Sequence, residues 1–101
     1  MSEHALSQPA IHLALKHLPS WQYQNNFIVN SYRFKSFVQA FEFMGRVADY
    51  AEQQNHHPDW SNCYNKVDIS LTTHELGGVS ERDFKLATLI EDLYQQYYLT
   101  K

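Results

Sequence analysis

Apolar positions recur along this chain at two spacings, and the alternation between the two predicts an order of elements. Ser7 followed by Pro9 marks a helix start. Ile11, Leu13-Ala14-Leu15 and Leu18 supply the apolar stripe of that helix, and Pro19 stops it. Trp21-Gln22-Tyr23-Gln24 alternates as a strand does. Asn25-Asn26 suits a tight turn, because asparagine tolerates the left-handed region. Beyond it, Ile28, Asn30, Tyr32 and Phe34 fall on one face of a second strand, with Phe27, Val29, Ser31 and Arg33 on the other. The two runs read as a hairpin.

Ser36-Phe37-Val38-Gln39 has the form of a capping box. From there Phe37, Phe41, Met44, Val47-Ala48 and Ala51 recur at helical spacing for nearly five turns, the strongest helix signal in the chain. Val67, Ile69 and Leu71 alternate with Lys66, Asp68, Ser70 and Thr72, which predicts a strand with one buried face ending at Thr72, Thr73 and His74. Gly77-Gly78 breaks the chain, and Ser80-Glu81-Arg82-Asp83 opens a last helix with acids in its first turn. Leu86, Ile90, Leu93 and Tyr97 form its stripe. Spacing leaves open whether Asp59 to Asn65 holds another strand. The order of helix, two strands, helix, one or two strands and helix predicts an α+β domain over residues 1–101, with helices on one face of an antiparallel sheet. The other face would then carry Trp21, Tyr23, Phe27 and Val29, apolar enough to predict either an isologous contact with a second copy or a fuller core within one chain.

Composition narrows the function classes. The chain has 101 residues, 44% hydrophobic and 15% aromatic, enough for one core. A net charge of -3 and the lack of any Lys/Arg run argue against nucleic acid as partner. A single cysteine, Cys63, cannot build a disulfide framework within the chain and reads as a small buried filler. Met1-Ser2-Glu3-His4 shows neither a basic nor an apolar signal region, and no apolar run approaches membrane-spanning length. The expectation is a cytoplasmic protein with no membrane contact.

Candidate chemistry gathers between Glu52 and Asp83. His-His-Pro at His56-His57-Pro58 is not explained by helix or strand propensity. Pro58 biases His57 away from helical geometry, so the long helix must end here and leave two histidines on its lip. Histidine moves protons near neutral pH, with an ordinary pKa of about 6.5. Each residue also has a plainer reading. His56 suits a helix C-terminus, His74 can simply end a strand, and Asp83 is expected at the third position of any capped helix. Adjacent His56 and His57 in extended geometry point apart, which disfavours a metal site.

The joint spacing carries more than any residue alone. Glu52, three residues, His56-His57-Pro58, five residues, Tyr64, nine residues, His74, eight residues and Asp83 together resemble the signature of the pterin-4a-carbinolamine dehydratases. The run from Tyr32 to Phe37 through Ala40 to Met44 and Val47-Ala48 looks like that family's second helix, and Thr72-Thr73-His74-Glu75 with Gly78 to Asp83 looks like its closing segment. The resemblance covers roughly Trp21 to Leu93. It implies a four-stranded antiparallel sheet with three helices on one face, and assembly as homodimer or homotetramer. It also implies dehydration of a 4a-hydroxytetrahydropterin to quinonoid dihydropterin, in support of aromatic amino acid hydroxylases, without metal or organic cofactor. By the same resemblance, His56 and His74 are the acid-base pair, and His57 positions the substrate hydroxyl or assists them in catalysis. Glu52 and Asp83 orient the histidines, and Asn55, Thr72 and Thr73 line the pterin. The competing expectation is a non-catalytic dimeric binding protein of the same fold that regulates a partner.

Overall fold

Two β-hairpins laid side by side form one antiparallel sheet, and three helices cover one of its faces. The computed structural model describes residues 3–99. Helix α1 (Gln8–Leu15) starts where Ser7 Oγ accepts from the Ala10 amide at 3.3 Å, with Pro9 in its first turn. Strands β1 (Gln22–Gln24) and β2 (Phe27–Arg33) join through Asn25 and Asn26, both at positive φ, as the hairpin twist requires. Helix α2 (Phe37–Gln54) is capped by Ser36 Oγ, which accepts from the Gln39 amide at 3.1 Å. The Gln39 side chain reaches one residue further back than a capping box would, accepting from the Lys35 amide at 3.2 Å.

Strands β3 (Asp59–Cys63) and β4 (Lys66–Leu71) make the second hairpin, so the segment whose spacing left it open is a strand. The Asn62 amide group ties that turn, donating to Tyr64 O at 3.0 Å and Lys66 O at 2.9 Å. The sheet order is β1-β2-β4-β3. A single 3₁₀ turn (His74–Leu76) and Gly77 at φ 78° lead into α3 (Glu81–Tyr97).

The core lies between sheet and helices. Ile28, Tyr32, Val67, Ile69 and Leu71 meet Phe43 and Val47 of α2, Leu86, Ile90 and Leu93 of α3, and Ile11 of α1. The aromatic content is spent here: Tyr32, Phe34, Phe43, Tyr94 and Tyr98 pack on one another, with Tyr32 and Tyr94 centroids at 4.6 Å and Phe34 and Phe43 at 4.9 Å.

Several expectations change. The buried stripe of α2 is Ala40, Phe43, Val47 and Ala51, whereas Phe37 and Phe41 face outward, Phe41 with 62% exposure. Two apolar rows share the helix, and spacing alone does not say which one meets the sheet. Tyr97 is likewise exposed, its ring under the Arg46 guanidinium at 5.1 Å, while Tyr98 takes the buried place. Cys63 is exposed, because it ends edge strand β3 on the open side of the sheet. That open side is mostly polar. Tyr23 pairs with Ile28 and shares its helix-facing side, and Trp21 lies in the core before β1. Only Phe27 and Val29 remain as apolar residues of the predicted patch, among Gln22, Ser31, Lys66, Asp68 and Ser70.

Trp21 and Tyr32 anchor a buried polar chain. Trp21 Nε1 donates to Tyr32 OH at 3.1 Å, and Tyr32 OH donates to Glu91 Oε1 at 2.6 Å. Burial, then the Glu91 carboxylate, push the Tyr32 phenol far above its ordinary range. Burial and the bond to Glu42 push Tyr98 up to about 12. Both groups hold their protons in the fold at a pH where unfolded tyrosine, near ~10, releases them. Stability is therefore complete below about pH 10 and is expected to fall as pH rises above it. Tyr32→Phe is expected to cost about 1–3 kcal/mol at neutral pH, because it strands the Trp21 N–H, and to flatten part of that alkaline loss. Urea titrations at neutral pH and near pH ~10.5 check both effects.

Candidate active site

The site forms where the C-terminus of α2, the end of β4 and the start of α3 meet. Helix α2 stops because Asn55 adopts the left-handed conformation, φ 51°, and Pro58 forbids continuation. The chain then turns His56 inward and His57 outward. His56 is 7% exposed, whereas the His57 side chain is 55% exposed. His74 arrives from the other segment, opening the 3₁₀ turn after β4. Asn55, His56, His57, Thr72, His74 and Glu75 line one cleft of about 200 Å³.

Each histidine faces a carboxylate through Nε2. Asp83 Oδ1 lies 2.6 Å from His56, and Glu52 Oε2 lies 2.6 Å from His57. Asp59 Oδ2 stands 3.5 Å from His74. The pairs differ in burial, which decides their worth. Asp83 has no exposed surface, so its bond to His56 acts in a low-dielectric setting. Glu52 and His57 are both exposed, and such pairs contribute at most about 1 kcal/mol to stability.

Asp83 performs two jobs at once. Its Oδ2 accepts from the Ser80 amide at 2.8 Å, which closes the capping box of α3, and from Thr73 Oγ1 at 2.9 Å. Its Oδ1 is left for His56. A carboxylate engaged by two donors on one oxygen is an acceptor, so the His56 ring donates Nε2–H to it. In the uncharged form of the ring that arrangement leaves the lone pair on Nδ1, turned away from Asp83. The cap and the orienting carboxylate are thus the same side chain.

The residues expected at the site divide into three groups. His56, His57, His74, Asn55 and Thr72 come together around the cleft. Glu52 serves His57 and not His56, because α2 ends at Gln54 and the left-handed Asn55 takes His56 off the helix face that Glu52 occupies. Thr73 does not line the cleft. It is 1% exposed and its hydroxyl is bonded to Asp83 and to Ser80 Oγ at 2.6 Å, so it braces Asp83 from below. Thr72 is held too, its hydroxyl donating to Asn26 O at 2.9 Å.

Asp59 and Glu75 are additions that periodicity could not signal, since both reach the site only through the sheet register and the 3₁₀ turn. Glu75 accepts from Arg82 Nη1 at 3.1 Å. Arg82 also grips Glu3, and this bond is the main cause holding the Glu3 carboxyl below its usual range. A second cleft of about 210 Å³, lined by Asn25, Asn26, Phe27, Gly77 and Gly78, adjoins the first through Thr72 and His74. Among the described residues no three His, Cys, Asp or Glu side chains converge as a metal site requires, and no helix is long and apolar enough to cross a membrane.

Known proteins share this arrangement of fold and sequence. A Christiangramia forsetii protein provisionally named a pterin-4-alpha-carbinolamine dehydratase is 46% identical over 90 residues, which span 89% of this chain and 93% of that protein. A Rhizorhabdus wittichii protein with the same provisional name is 52% identical over 82 residues, 79% of this chain and 84% of that one. A crystal structure from Brucella melitensis, described as a transcriptional coactivator/pterin dehydratase, superposes with a TM-score of 0.86 at 40% identity. The match covers 89% of this chain and 98% of that one. The sequence model of the pterin 4 alpha carbinolamine dehydratases matches residues 4–93, further toward the N-terminus than the signature between Glu52 and Asp83 reaches. With its α+β fold, its histidine cleft and this match over most of its length, the chain belongs to the pterin 4 alpha carbinolamine dehydratase family.

Proposed function

We propose that this chain is a single-domain cytoplasmic hydro-lyase. Its substrate is a 4a-hydroxytetrahydropterin, and its products are quinonoid dihydropterin and water. On this reading it serves pterin recycling for aromatic amino acid hydroxylases. The observation that carries the proposal is the convergence of His56 and His74, from segments 18 positions apart in sequence, on one cleft whose inner histidine is locked by buried Asp83.

The reaction needs two proton transfers and nothing else. The C4a–O bond breaks as an acid gives its proton to the leaving hydroxyl, which departs as water. The N5–H proton passes to a base as the N5–C4a double bond forms. Electrons and atoms balance without a redox partner, so the chemistry calls for no organic cofactor. His56 and His74 are the acid-base pair, each able to supply about 10²–10⁴ in rate when held within reach. His57, steadied by Glu52, positions the C4a hydroxyl. Asn55 and Thr72 supply polar lining to the ring. The test is dehydration of substrate made in place by a hydroxylase, measured against the spontaneous reaction. Folded protein that gives no acceleration would reject the proposal.

Assembly is part of the same reading. A homodimer or homotetramer is supported by the exposed row Phe37, Val38 and Phe41 on α2, too apolar for one exposed helix face, rather than by the polar open side of the sheet. Sedimentation at micromolar concentration is expected to give a multiple of the 11.9 kDa chain, and Phe41→Glu is expected to lower that mass. A monomer at that concentration would remove the idea.

A further inference from the structure

We propose that Asp59 is a positioning residue for His74, a role that rests on the dehydratase reading above. Asp59 is the first residue of β3, two positions after His57, and Pro58 stiffens the link. Its carboxylate crosses to the other catalytic segment and stands 3.5 Å from His74 Nε2. One turn of chain therefore presents His56 and His57 and also grips the histidine opposite them.

His74 has little else to hold it. Its side chain is 76% exposed, and its further contact is the edge of the Phe27 ring, with centroids 6.1 Å apart. The other charged groups near it are committed elsewhere. Glu75 of the same 3₁₀ turn is bonded to Arg82, Glu52 of α2 to His57, and Asp83 of α3 to His56. Asp59 is thus the carboxylate left to His74. A neutral imidazole at 3.5 Å feels it weakly, whereas an imidazolium is drawn toward it. The contact strengthens when His74 carries a proton, the state through which either member of an acid-base pair must pass. An exposed pair of this kind adds little to folding, so its value lies in ring orientation.

The test uses Asp59→Ala, Asp59→Asn and Asp59→Glu in the full chain. With the hydroxylase-generated substrate, kcat is expected to fall about 10- to 100-fold for the first two, with KM changed less than about threefold and the melting temperature unaltered. The glutamate variant is expected to recover most of the rate. Combined with His74→Ala, Asp59→Ala is expected to add no further loss, since it acts through that ring. Rates within about twofold of the parent, additive losses, or a glutamate variant as slow as the alanine one would overturn the proposal. A readout free of turnover separates its failure from that of the dehydratase reading. The His74 ring, followed by NMR through its contacts with the Phe27 ring edge, is expected to lose its fixed placement in Asp59→Asn and to keep it in the parent chain. An unmoved ring overturns the positioning role whether or not the parent dehydrates the pterin.

Discussion

His74→Ala is expected to lower kcat for carbinolamine dehydration by about 10²–10⁴ while leaving the melting temperature within error. The two halves of that expectation have separate causes. His74 is largely exposed and makes no hydrogen bond that the fold depends on, so its removal opens no cavity and strands no buried partner. Its place is the cleft that His56 also lines. Loss of an interaction made only in the transition state lowers kcat and kcat/KM together. His56→Ala is expected to match it in rate but to lose stability as well, because Asp83 would keep a buried oxygen without its donor. Paired circular dichroism melts and steady-state kinetics check the contrast. A His74→Ala chain with full activity would remove His74 from the acid-base pair.

Asp83→Asn is expected to damage stability and turnover together. The amide has the same shape but only one accepting oxygen. If that oxygen faces the Ser80 amide and Thr73 hydroxyl, the NH₂ group meets the His56 Nε2–H head on. If it faces His56, the NH₂ group meets the Ser80 N–H instead. Either orientation leaves one buried donor unsatisfied, at a cost of about 1–3 kcal/mol. A cap acting through the helix dipole alone would cost only about 0.3–1 kcal/mol. The first orientation escapes that cost only if His56 takes the other tautomer, with Nε2 accepting and Nδ1 no longer a base. Turnover is then expected to fall about 10²–10⁴-fold, the scale on which a misoriented tautomer acts in a triad. A small drop in melting temperature with unaltered turnover would leave Asp83 as a cap and nothing more.

Local signals were readable wherever the chain's own chemistry decides the conformation. The Asn25-Asn26 turn, the Ser7, Ser36 and Ser80 caps, the stop at Pro58 and the alternation through Val67, Ile69 and Leu71 each act within a few residues. The histidine spacing was readable too, because a cleft built from a helix end and a strand end holds its residues at set distances along the chain. Asp59 to Cys63 was not readable. It alternates weakly, and it becomes a strand because β4 offers it an edge.

Sequence by itself determined the elements other than β3 and the 3₁₀ turn, the family, and where the three histidines stand along the chain, since these follow from short-range periodicity and from a spacing pattern. Tertiary structure decided which apolar row of α2 is buried, that Tyr23 and Trp21 turn toward the helices, and which carboxylate serves which ring. Glu52 lies four positions before His56 yet binds His57, while Asp83, 27 positions later, takes His56. The physical reason is direction. Periodicity assigns a residue to a face, but only the reversal at Asn55 and the docking of α3 under β4 determine where that face points and what it meets.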